Sequence, residues 1–140
     1  MTVCRAIRGA TTAEQNTAED IIEATEELLR SVLHYNDLQV DDMVSMIFTT
    51  TTDLNATFPA VAARGMNIGL DAVPLMCAHE MNVPGALDMV VRVMIHVNTD
   101  ALAVEIKHVY LRRARELRPE WGREPVATAG IGNRDSGDSN

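Results

Sequence analysis

The chain has 140 residues, the length of one domain, and 46% of them are hydrophobic but only 4% aromatic, so a core must rest on aliphatic and methionine side chains. A net charge of −8 argues against general affinity for nucleic acid or anionic membrane. No apolar run approaches the ~18 residues of a membrane span, and the N-terminus lacks the pattern of a signal peptide. The two cysteines, Cys4 and Cys77, sit in apolar surroundings and read as free thiols of a reducing compartment, which makes the expected location cytoplasmic.

Residues 3–11 alternate as a strand, and Gly9 either ends its regular part or lets the backbone approach a neighbour closely. A helix should begin at Asn16 or Thr17, where Thr17 with Asp20 three residues on resembles a capping box. Ile21, Ile22, Thr25, Leu28, Leu29, Val32 and Leu33 form its apolar stripe, and Asn36 is its expected stop. Residues 43–51 read as a strand and 53–55 as a loop. Pro59 opens a short helix over 59–67. Residues 72–77 form a short strand, 82–85 a turn, 88–98 a long strand and 107–111 a short one, with a helical turn over 112–118. Residues 1–121 are thus expected as one domain and 122–140, rich in Gly, Asp, Asn and Ser, as a disordered tail. The order β-α-β-α-β-β-β predicts an α+β fold, a mixed sheet with helices on one face. The other face of such a sheet would need a partner.

The sharpest chemical signal is Arg92, inside the run Met89-Val90-Val91-Arg92-Val93-Met94-Ile95. Both faces of this segment are apolar, which predicts a strand buried on both sides. A charge there is costly unless paired. A structural ion pair with Glu80 and an anion-binding site both remain open. Arg8 repeats the pattern in Ile7-Arg8-Gly9, where a solvated strand end is the bland alternative, and Arg64 taken alone is an ordinary surface residue. Cys77 reads either as a small buried hydrophobe or as a nucleophile. His34, His79, His96 and His108 match no zinc spacing, and there is no phosphate-cradling loop or dinucleotide fingerprint, so neither metal nor cofactor is expected. Arginines, a glutamate, a thiol and Tyr110 suit the holding of a polyanion and the stabilisation of developing charge by fixed donors.

Five motifs in order then resemble one family. Ile7-Arg8-Gly9-Ala10-Thr11-Thr12, Asp53-Leu54-Asn55-Ala56-Thr57-Phe58-Pro59-Ala60 with Arg64, and Val73-Pro74-Leu75-Met76-Cys77-Ala78-His79-Glu80-Met81 are the first three. Pro84-Gly85-Ala86-Leu87 leading to Val91-Arg92-Val93-Met94, and His108-Val109-Tyr110-Leu111 followed by Leu117-Arg118-Pro119, complete the set. Together they resemble the small monofunctional trimeric chorismate mutases over residues 3–119.

The resemblance implies a homotrimer, a barrel-like assembly with helices outside and active sites between subunits. It implies a cofactor-free Claisen-type rearrangement of chorismate to prephenate in aromatic amino-acid biosynthesis. Carried over, Arg92 would donate to the ether oxygen of the breaking bond and to a carboxylate. Glu80 would accept from the ring hydroxyl with Cys77 beside it. Arg8 and Tyr110 would bind the side-chain carboxylate, Phe58 and Leu117 would line the pocket, and Arg64 and Arg118 would act from its rim. Val61 and Met76 stand where relatives often carry Lys and Thr. The competing readings are a trimeric reactive-intermediate deaminase, a small-anion sensor and a pure assembly domain; the set Arg8, Glu80, Arg92 and Tyr110 fits chorismate better.

Overall fold

The structure is a computed structural model that describes residues 1–126. Strands β1 (Val3–Thr12), β2 (Met43–Thr50), β3 (Leu75–His79), β4 (Val90–Thr99) and β5 (Val109–Tyr110) form one sheet in the order β3-β2-β4-β1-β5. Pairing is antiparallel for β1 with β4 and β2 with β4, and parallel for β1 with β5 and β2 with β3. Helices α1 (Ala18–Asn36) and α2 (Ala60–Gly65) connect the first three strands. The expected mixed sheet with helices on one face is what forms.

Helix α1 begins where Thr17 accepts the Asp20 N–H on its side-chain oxygen at 3.1 Å. It ends at Asp37, which takes the left-handed conformation (φ 49) and caps the last carbonyls through its N–H. Its buried stripe of Ile21, Ala24, Thr25, Leu28, Leu29 and Val32 lies against the sheet. Gly9 lies inside β1 rather than at its end. A Cβ there would come within 3.1 Å of both Leu28 Cδ1 and Val93 Cγ1, so the glycine is what lets α1 settle on the strand.

The alternation of β1, β2 and β4 places Ile7, Met46, Phe48, Val93, Ile95 and Val97 in the core beneath α1 and α2. The opposite face carries Arg8, Ile47, Thr49, Arg92 and Met94 in register. The expectation that β4 is buried on both sides is therefore corrected for the single chain. Helices cover one face only, and Ile47, Met76 and Met94 on the other are exposed.

Several element boundaries also shift, with β4 starting at Val90 rather than 88 and β5 confined to Val109–Tyr110 within the expected 107–111. The strand expected at 72–77 starts at Leu75, because Gly69 (φ 95) leads into a 3₁₀ turn over Leu70–Ala72. The helix expected over 59–67 stops at Gly65.

The C-terminal segment folds back over part of the second face. It runs as 3₁₀ turns Arg112–Glu116 and Pro119–Trp121, and Ala114, Leu117 and Trp121 pack on Ala10 and Tyr110. The ordered chain also passes the expected boundary at 121. Arg123 N–H bonds to the Tyr110 carbonyl at 3.1 Å, and Val126 N–H to Ser31 Oγ at 3.0 Å. Of the expected tail, 122–126 thus has backbone groups that find partners on β5 and α1, and the rest, 127–140, lies outside the described residues. Among the described residues no helix is long and apolar enough to cross a membrane.

Candidate active site

On the face left open by the helices, Arg8, Gly9, Ile47, Thr49, Glu80, Arg92, Val93, Met94 and Tyr110 line a cavity of about 230 Å³. The sheet itself assembles it. Ala10 faces both Arg92 on β4 and Tyr110 on β5, while Thr49 of β2 faces Arg92 from the other side. Residues from the beginning, middle and end of the chain thereby meet across four strands.

Arg92 carries the main charge. Its Nε lies 3.6 Å from Glu80 Oε2, an ion pair rather than a hydrogen bond. That Nε is buried and makes no hydrogen bond. Glu80 is held more firmly, taking the Thr49 hydroxyl on Oε2 at 3.2 Å and the Met81 N–H on Oε1 at 3.1 Å. Within the chain Arg92 is thus ion-paired with Glu80, and its Nε makes no hydrogen bond. The start of β4 is set by Asp53, whose carboxylate accepts the N–H of Met89 at 3.0 Å and supports its left-handed backbone (φ 58).

At the other end of the cavity Tyr110 is 1% exposed, and Arg8 gives its backbone N–H to His108 Nδ1 at 2.9 Å. Burial lowers the His108 pKa below its ordinary 6.5, and the nearby guanidinium groups of Arg8, Arg118 and Arg123 lower it further. The ring is thus kept neutral, with Nδ1 the acceptor and the proton on Nε2.

As pH falls, the unfolded chain binds this proton first. His108 therefore costs no stability above about pH 6.5, and its contribution is lost as pH falls from there through the lower folded value. In His108→Asn, whose amide oxygen replaces the Nδ1 acceptor but does not titrate, the loss of urea midpoint between about pH 7.5 and about pH 5.5 should be smaller than in wild type. Equal losses would refute the assignment.

The other expected site residues are not gathered here. Phe58 and Cys77 line a second, larger cavity of about 410 Å³ with Thr50, Leu54 and His79, and the two cavities share no residue. Phe58 is 66% exposed. Cys77 pairs with Phe48 on the core side of β3, away from Glu80, because residues 77 and 80 differ by an odd number. Both thiols are free, Cys4 exposed and Cys77 half-buried. Arg64 is exposed on α2. Leu117 packs beside Tyr110, and Arg118 pairs with Glu120, holding that carboxyl below its usual range chiefly through their hydrogen bond. Among the described residues no group of three His, Cys, Asp or Glu is placed to hold a metal ion.

Sequence reasoning missed Thr49, which orients Glu80, and the pair His108 and Trp121 behind Arg8. The one signal for Trp121 was its being the sole tryptophan of the chain.

Comparison with known proteins gives the family of the chain. The family profile for chorismate mutase type I matches residues 4–121. The chain is similar to chorismate mutase AroH of Thermus thermophilus, 48% identical over 117 residues that cover 83% of this chain and 94% of that protein. It is similar to chorismate mutase AroH of Bacillus subtilis strain 168, 43% identical over 116 residues covering 83% and 91%. Among solved structures, a chorismate mutase from Clostridium thermocellum superposes with a TM-score of 0.77 at 51% identity, covering 80% of this chain and 98% of that one. A match across nearly all the strands that build the cavity leaves one reading of the ancestry: this chain belongs to the type I chorismate mutase family.

Proposed function

We propose that the chain rearranges chorismate to prephenate, on the way to the aromatic amino acids, in a homotrimer whose active sites lie between subunits. The observation that carries this is Arg92, whose buried Nε makes no hydrogen bond, in the lining of a cavity that also holds Glu80, Arg8 and Tyr110. Chorismate brings two carboxylates and an ether oxygen, acceptors that the arginines of this cavity can address.

In the rearrangement the carbon–oxygen bond lengthens before the carbon–carbon bond forms, and negative charge grows on the ether oxygen. A guanidinium already fixed there binds the transition state more tightly than the ground state. Arg92 fills this role and also meets a carboxylate. Glu80, held by Thr49 and Met81, keeps lone pairs free to accept from the ring hydroxyl. Arg8 and Tyr110 bind the side-chain carboxylate. By fixing both ends of a flexible dianion they bind its compact conformer, so that the ordering cost is met from binding energy before the chemical step.

Phe58, Cys77 and Arg64 reach this site from a neighbouring subunit. Two observations support the reading: their separation from the Arg92 cavity within one chain, and the exposed Ile47, Met76 and Met94 on the uncovered sheet face. Leu117 and Arg118 close the cavity from the C-terminal segment.

The direct test is the loss of chorismate ultraviolet absorbance on adding purified protein to a metal-free solution, with prephenate identified as the product. Turnover under those conditions supports the reading. A folded trimer that leaves chorismate unchanged would reject it and turn attention to imine hydrolysis or to binding without turnover.

A further inference from the structure

The Trp121 indole lies outside the cavity but against the side chains that define its carboxylate end. Arg118 Cζ is 3.7 Å from the indole centroid and Arg8 Cζ 5.3 Å. The His108 ring is 4.2 Å away, and Tyr110 meets the indole edge-on at 5.5 Å. The backbone that carries the indole is held on both sides. The backbone N–H of Trp121 donates to the Arg118 carbonyl at 2.9 Å, Gly122 bridges to Tyr110, and Arg115 donates to the Arg123 carbonyl at 2.8 Å.

Arg8 is therefore gripped twice through one cluster. Its backbone N–H goes to His108, and its guanidinium lies over the ring that His108 packs against at a tilt of 45°. Two guanidinium groups that would otherwise repel each other share an aromatic surface, whose electron-rich face attracts both. Glu120 offsets part of the charge through Arg118.

We propose that Trp121 is a positioning residue: its ring sets the directions of the Arg8 and Arg118 side chains, and so prepares the carboxylate end of the cleft before substrate arrives. This rests on the reading that Arg8 binds a carboxylate of chorismate. The carboxylates keep their charge throughout the reaction, so the contribution is the same in ground and transition states. Its loss appears in KM and leaves kcat nearly unchanged.

Steady-state kinetics on chorismate test this with Trp121→Phe, Trp121→Leu, Arg8→Met and the double variant Arg8→Met/Trp121→Leu. Phenylalanine keeps an aromatic face, whereas leucine keeps only apolar bulk against Tyr110 and Ala114. Trp121→Leu should raise KM about tenfold with kcat within about twofold, and Trp121→Phe should stay within about threefold of wild type. In the Arg8→Met background the leucine substitution should raise KM clearly less than it does in wild type.

Equal KM values for the phenylalanine and leucine variants would overturn the proposal. So would a loss confined to kcat, or full additivity in the double variant. If Trp121→Leu melts below the assay temperature, Trp121→Met takes its place in the same comparison. If Arg8→Met leaves KM unchanged, the carboxylate role of Arg8 falls and the proposal falls with it. If Arg8→Met raises KM and Trp121→Leu does not, only the role of Trp121 falls.

Discussion

Replacing Arg92 by alanine is expected to cut kcat for chorismate by about 10³-fold or more while leaving the protein folded, because one fixed donor at a developing oxyanion is worth about 10²–10³ and Arg92 also carries a full charge. The fold should survive for a reason visible in the site. Glu80 loses its cation but keeps the Thr49 hydroxyl and the Met81 N–H, and its side chain is 36% exposed, so the carboxylate left behind is still solvated. Arg92→Lys should recover little. An ammonium is a compact point charge on a different stem and cannot address two acceptors from one planar fork. Single-turnover measurements with melting curves of each variant separate the effect on chemistry from any effect on stability. An Arg92→Ala protein with nearly normal kcat would remove the central role assigned to this residue.

The second large effect is an expected restoration of activity. Phe58→Asp puts a carboxylate where the dianionic substrate must approach, and like-charge juxtaposition of that kind costs several kcal/mol, so kcat/KM should fall by at least about 10²-fold. Because Phe58 is exposed on its own chain, the change should not unfold the subunit. Arg92→Ala is inactive for a different reason. If one subunit supplies Arg92 and its neighbour supplies Phe58, random assembly of equal amounts of the two variants places both native residues at about a quarter of the sites, since each side of a ring interface is drawn independently. Co-refolding the two proteins should therefore raise activity to roughly a quarter of wild type. If both residues serve the same site from one chain, no intact site exists in the mixture, and activity stays at the level of the separate variants. Gel filtration of the mixture checks that trimers have formed in either case.

Much of this protein was legible in its residues because the deciding forces are local or periodic. The 3.6-residue stripe from Ile21 to Val32 and the Thr17 cap specify α1 with no reference to the rest of the chain. Two-residue alternation places β1, β2 and β4, and the composition of the 88–98 run makes Arg92 conspicuous as a charge among aliphatic side chains. The resemblance to the family supplied the substrate, since no spacing of arginines names a molecule.

What only the tertiary structure decided depends on register and on long-range contact. Strand order β3-β2-β4-β1-β5 brings Arg8, Glu80, Arg92 and Tyr110 to one cavity, and the parity of residues 77 and 80 sends Cys77 to the opposite face of the sheet. Burial of β4 was overread because an apolar run reports how readily a strand can be covered, and helices of the same chain cover only one side. The contacts of the 122–126 segment are backbone bonds to β5 and α1, which composition does not encode. For the same reason the grouping of His108, Trp121 and Arg8 could not be seen in advance: they stand 13 or more residues apart in pairs or across the whole chain, and only the parallel pairing of β5 with β1 makes them neighbours.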